Sequence, residues 1–345
     1  MTATAIQFDP FCLSSFLTFR YVAHEAAEWL PGLRPRRPAL HVAEQIAVRD
    51  ATEILAALQR LVSDRRCGLL LSSGIDSAIL AALLPSGTPA YTIDFDAPGA
   101  LRESLAADRL AGRNRLRHRV VTVTWVDHER HAATLMQHKR APLHPVEVGL
   151  YLAARAARAD GVDTLMVGNG ADSTFGGLDK LLSRDWTLDE FVARYTFVSP
   201  EATLREPISV REVFAAYDTP GGFDVGRFLK EVHGRGIIQA FASAVTAAGC
   251  QVIAPYESLR LDGSLDLARI RGGESKYLLR ELFRQLYPEE TIPAKIAFAR
   301  PMDEWLKNWR GPQRPEFRDD IAVDSLSGEQ KWLLCSLENF LNLYE

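Results

Sequence analysis

Between residues 47 and 64 apolar side chains return every three or four positions, at Ile54, Leu55, Leu58 and Leu61, with charges between them. That spacing predicts an amphipathic helix. The period then changes. Apolar and β-branched runs at 67–71, 91–95, 120–125 and 164–167 are too short for helices and are bounded by Gly, Pro or polar turns, so they predict strands. Helical stretches separate them, rich in small residues over 76–84, charged over 103–114, with two more before residue 164. Strand alternating with helix predicts a parallel sheet covered on both faces, with ligands beyond the carboxyl ends of its strands. Upstream, Pro31, Pro35 and Pro38 resolve residues 9–40 into one or two short helices and an extended connector. Beyond Phe175 the strand pattern fades, and helices are predicted at 188–195, 225–233, 237–248 and 277–286. The expected organisation is an arm over 1–45 packed on a body over 46–345, with an α/β core to residue 180 and a helical substrate-side region over 181–345.

Composition narrows the class without naming it. A chain of 345 residues with 47% hydrophobic and 24% charged content suits a globular protein with a sizeable core. A net charge of −4 and a pI near 6.1 argue against a protein built mainly to grip nucleic acid. Cys12, Cys67, Cys250 and Cys335 form no CxxC or Cys/His pattern, so reduced thiols are expected. No apolar stretch approaches the roughly 20 residues of a membrane span, and the cytoplasm is the expected location.

Chemistry enters at residues 71–77, Leu-Ser-Ser-Gly-Ile-Asp-Ser, a Gly/Ser loop between a buried strand and a helix N-terminus. Backbone N–H groups, serine hydroxyls and the positive end of the helix dipole converge on one spot there, which suits phosphate, while Asp76 can hold the accompanying magnesium. No Lys follows the glycine as a Walker A loop requires, and taken alone the segment also fits an ordinary helix cap. A second loop, Gly168-Asn169-Gly170-Ala171-Asp172 followed by Phe175-Gly176-Gly177, falls on the same sheet edge. It supplies a second carboxylate, and two acids from two loops can share one magnesium. In a third segment, Arg271-Gly272-Gly273-Glu274-Ser275-Lys276, a Gly turn leads into a helix with Lys276 in its first turn. A cation gains nothing from a helix N-terminus, so Lys276 invites a functional explanation, the alternative being a solvated helix lysine.

The first loop resembles the S-G-G-x-D-S pyrophosphate loop of the ATP pyrophosphatase superfamily, with Ser73 where a glycine usually stands. The second resembles the G-E-G-x-D-E-x-F-G-G stretch of asparagine synthetases, and 272–280 resembles their G-G-x-x-K-x-x-L-R segment. Over residues 8–309 the chain is similar to the synthetase domain of the asparagine synthetase and β-lactam synthetase family, without the N-terminal glutaminase domain, and residue 2 is Thr where a glutaminase needs Cys. The resemblance implies a parallel-sheet PP-loop ATP pyrophosphatase core (adenine nucleotide α-hydrolase-like) with a largely helical C-terminal region. It implies an ATP- and magnesium-dependent ligase that makes an amide through an acyl-adenylate, releasing AMP and pyrophosphate. Ser72, Ser73, Gly74 and Ser77 would cradle pyrophosphate, and Asp76 and Asp172 would hold magnesium. Lys276 would steady the transition state, Lys295 would add a phosphate contact, and Leu71, Ile93, Val167 and Gly168 would enclose adenosine.

The departures concern the other substrates. Asn169 stands where asparagine synthetases have Glu and β-lactam synthetases Tyr, and an amide cannot take a proton from an incoming nitrogen. His138-Lys139-Arg140 occupies the segment expected to line the acceptor pocket, so Lys139 and Arg140 imply an anionic acid in place of aspartate, in specialised metabolism. The nitrogen would come from ammonia, from an amine, or from a separate glutaminase, and a carrier protein is a further candidate partner. The alternatives are an adenylating RNA- or sulfur-transfer enzyme of the same superfamily and an ATP-binding homologue without chemistry.

Overall fold

The computed structural model describes residues 7–39, 45–63, 66–293 and 300–345. Its strands are β1 (Ile46–Val48), β2 (Gly68–Leu70), β3 (Pro89–Phe95), β4 (Arg117–Val123), β5 (Thr164–Met166), β6 (Asp218–Thr219), β7 (Gly222–Phe223), β8 (Gln251–Ile253) and β9 (Leu259–Leu261). Five of them form one sheet in the order β4-β3-β2-β5-β8, every neighbouring pair parallel. From β2 the chain steps outward to β3 and β4, then returns to place β5 on the other side of β2. The order thus reverses between β2 and β5, and the loops after these two strands flank the crevice that such a reversal opens.

Alternation along the strands gives each face its own core. Leu69, Ala90 and Met166 face one apolar cluster, whereas Tyr91, Ile93, Leu165 and Val167 face the other. The first cluster is closed by the helices α2 (Ala51–Val62), α3 (Ile75–Leu83) and α4 (Ser104–Arg113), with helix Tyr277–Leu286 packed on α3. The second is closed by α6 (Glu147–Ala159) and helix Arg235–Ala247, which also packs on α5 (Trp125–Lys139). The arm begins with α1 (Pro10–Phe19), started by Pro10 at its first position and by Asp9, whose carboxylate accepts from the Phe11 and Cys12 N–H groups. Phe16, Leu17 and Trp29 bury the arm against the core. A third, aromatic cluster around Phe191, Phe214, Phe223 and Phe228 holds the region after residue 180 together.

Three observations depart from the sequence reading. A fifth sheet strand, β8, comes from beyond residue 180, and β1 and β9 pair in parallel outside the main sheet. Each is three residues long and, unlike the equally short β2 and β5, lies outside the strand-helix alternation that marks the core. Trp125 is the first residue of α5, not the end of a strand, because Thr124 and Asp127 close a reciprocal capping box before it. All four cysteines are buried, and Cys12, Cys250 and Cys335 are free thiols.

Candidate functional site

The loop after β2 leads into α3, whose N-cap Gly74 has no side chain to bond the first-turn N–H groups. Hydroxyls set the loop's shape. Ser77 Oγ accepts from the Ser72 N–H at 3.1 Å and lies 2.9 Å from Ser72 Oγ, which accepts from the Gly74 N–H at 3.2 Å. Two buried tyrosines pin the start of α3: Tyr256 donates to the Asp76 carbonyl at 3.0 Å and Tyr287 to that of Ala78 at 2.7 Å.

The loop after β5 abuts this helix so closely that a Cβ on Gly168 would lie 3.2 Å from the Asp76 Cβ. Gly170, at φ +93°, turns the chain where a side chain would meet the Glu257 backbone nitrogen at 2.7 Å. Asp76 and Asp172 thereby converge on one cation. Lys276 Nζ is 2.5 Å from Asp76 Oδ2 and 3.0 Å from Asp172 Oδ1. Burial alone would lower the lysine's pKa, but the two carboxylates together hold it above its ordinary value. Lys276 is the N-cap of helix Tyr277–Leu286, not a first-turn residue, with φ 55° in the left-handed region. Gly177 makes room for the trio, since a Cβ there would lie 2.0 Å from Asp172 Oδ1 and 2.3 Å from Lys276 Cε.

These groups open onto a cavity of about 480 Å³ that Leu71, Ser72, Gly74, Asp76, Ser77, Ile93, Val167, Gly168, Asn169, Asp172 and Lys276 all line. Two carboxylates that meet at one point suit magnesium, which takes its remaining ligands from phosphate and water. Among the described residues no group of three or more His, Cys, Asp or Glu could hold a metal. Ser73 is not among the lining residues; its hydroxyl donates to Glu103 Oε1 at 3.2 Å. Lys295 lies outside the described residues.

Lys139 and Arg140 correct the sequence reading of the acceptor pocket, because neither lines the cavity. The Lys139 ammonium is buried and committed, 2.5 Å from Glu147 Oε1 and 3.0 Å from the Pro142 carbonyl. Arg140 is the exposed, left-handed C-cap of α5. Sequence reasoning also passed over Glu103, His144, Arg280 and Arg300, all of which line the cavity. Burial raises the Glu103 pKa, with the Ser73 bond opposing it and Asp94 adding to it. Burial, then the charges of Arg20, Arg300, Lys139 and His233, drive His144 well below the ordinary histidine value. Arg300 is ion-paired with Glu329. Only Arg280 had a readable signal: it stands one helical turn after Lys276 and so shares its face.

Comparison with family models matches residues 49–239 to the model described as asparagine synthase. A search of curated proteins gave no match to the chain.

Proposed function

Since the chain belongs to the asparagine synthase family, whose members are ATP-dependent amide-forming ligases, we propose that it joins a carboxylic acid to an amine or ammonia through an acyl-adenylate. The convergence of Asp76, Asp172 and Lys276 at the carboxyl ends of β2 and β5 is the observation that carries this reading.

The triphosphate would lie across the Ser72–Ser77 loop, with the first-turn N–H groups and dipole of α3 directed at it. Asp76 and Asp172 would hold magnesium, which when bound neutralises charge on the departing pyrophosphate. Lys276 would reach the bridging phosphate oxygens, and Arg280, which also lines the cavity, would add a second cation there. The acid's carboxylate oxygen attacks the α-phosphorus, and the bond to the β-phosphate oxygen breaks. Nitrogen then attacks the acyl carbon and AMP leaves. Leu71, Ile93, Val167 and Gly168 supply an apolar wall for adenosine, and with Ile237 and Phe241 they keep water from the mixed anhydride.

Asn169 supplies hydrogen bonds but no base, so the nitrogen must attack as the neutral amine, and the proton it sheds on forming the amide must pass to the departing AMP phosphate or to water. Pyrophosphate release across a panel of carboxylates, with amines or ammonia, tests the proposal. Turnover dependent on one acid supports it; RNA-dependent turnover, or nucleotide binding with no turnover on any acid, contradicts it.

A further inference from the structure

A second cavity of about 450 Å³ adjoins the nucleotide cavity. Leu178 lines both, and Arg20, which lines the second, places Nη1 3.4 Å from Nε2 of His144, which lines the first. Basic side chains reach this cavity from four separate elements: Arg20 from the C-cap of α1, Lys180 from helix Asp179–Leu182, Arg194 from helix Leu188–Tyr195, and His233 from the π-helical turn Leu229–Gly234. Asp179 is the acidic residue in the lining.

Among the described residues Arg20, Lys180 and Arg194 form no ion pair, although neighbouring arginines do: Arg184 with Glu190, Arg211 with Asp189, Arg227 with Glu231. The fold also holds Arg20 in place. Its backbone is left-handed at φ 68°, and its guanidinium lies 4.9 Å from the centre of the Phe197 ring. Arg20, Lys180 and Arg194, three permanent cations around one concavity with no ion-pair partner among the described residues, concentrate anions there, and a planar guanidinium suits a carboxylate or phosphate in two-point contact.

We propose that this second cavity receives a second anionic group of the substrate, so that the acid activated at the nucleotide is a dianion with a carboxylate or phosphate at its far end. This rests on the ligase reading above for the fate of the first carboxylate, but the anion site stands on its own geometry. It moves the basic lining inferred from Lys139 and Arg140 to residues that face a cavity.

Calorimetry on the full chain with magnesium and the non-cleavable ATP analogue α,β-methylene-ATP tests it, the probes being four- to eight-carbon α,ω-dicarboxylates, ω-phosphonocarboxylates and monocarboxylates of equal length. Dianions should bind about 10-fold or more tightly than monoanions of the same length. Arg194→Glu and Lys180→Glu, at exposed positions, should each shrink that advantage while thermal unfolding and analogue affinity stay unchanged. The stronger of the two dianion series identifies the terminal group. Equal affinity for dianions and monoanions, or an advantage that survives both variants, overturns the proposal. Absence of pyrophosphate release alongside intact dianion selectivity overturns the ligase reading alone.

Discussion

Lys276 combines burial, a left-handed backbone and contact with two carboxylates from different strands. A non-glycine residue pays about 1–2 kcal/mol for that backbone conformation. Lys276→Gly should therefore destabilise the protein less than Lys276→Ala, by about 1 kcal/mol in urea melts, while both lose turnover. If the ammonium were only structural, the two variants would keep activity once folded. Gly177→Ala addresses the same trio from the other side. Its methyl collides with Asp172 and Lys276, so kcat should fall about 10²-fold or more, and wild-type kinetics would show that the trio does not need its spacing. The meeting of the motif glycines and both aspartates at one sheet edge was legible because close backbone approach and charge at fixed local spacing are local features. Lys139 was misread because its partner Glu147, which removes it from the site, is invisible until the turn between α5 and α6 is built.

At the scale of elements, the site is a junction between two strand ends, the start of α3 and the start of helix Tyr277–Leu286. Tyr256 holds that junction by donating to the Asp76 carbonyl from full burial. Tyr256→Phe should cost about 1 kcal/mol of stability and raise the KM for ATP, measured by pyrophosphate release; an unchanged KM would remove Tyr256 from the account. The four apolar runs were readable because Gly, Pro or polar turns bound them and periodic helices separate them, even where, as at β2 and β5, the strand formed is only three residues long. The short strands β1, β8 and β9 were not, since their neighbours in the sheet, more than their own composition, decide their conformation. Tyr256 itself follows β8, in a stretch that local pattern does not mark as part of a nucleotide site.

For the whole molecule, what escaped the sequence is mostly long-range. Arg20 meets His144 across 124 positions, and only packing of the arm against the body brings them together. Buried histidines make stability depend on pH. His144 and His128 both have folded pKa values below the ordinary 6.5. The unfolded chain then binds protons that the folded chain refuses, so their stability is present above pH 6.5 and is lost as pH falls below it. Unfolding free energies from urea melts should drop between pH 7.5 and 5.5, by up to about 1.4 kcal/mol per pH unit for each histidine kept neutral. His144→Asn should flatten that slope, and an unaltered slope would assign the effect elsewhere.

The central claim, that the Asp76–Asp172–Lys276 junction cleaves ATP between its α and β phosphates to activate an acid, is tested most directly by identifying the nucleotide product. Turnover with the accepted acid should yield AMP and pyrophosphate in equal amounts, and Asp172→Asn should abolish both. Formation of ADP and phosphate, or full AMP production by Asp172→Asn, would contradict it.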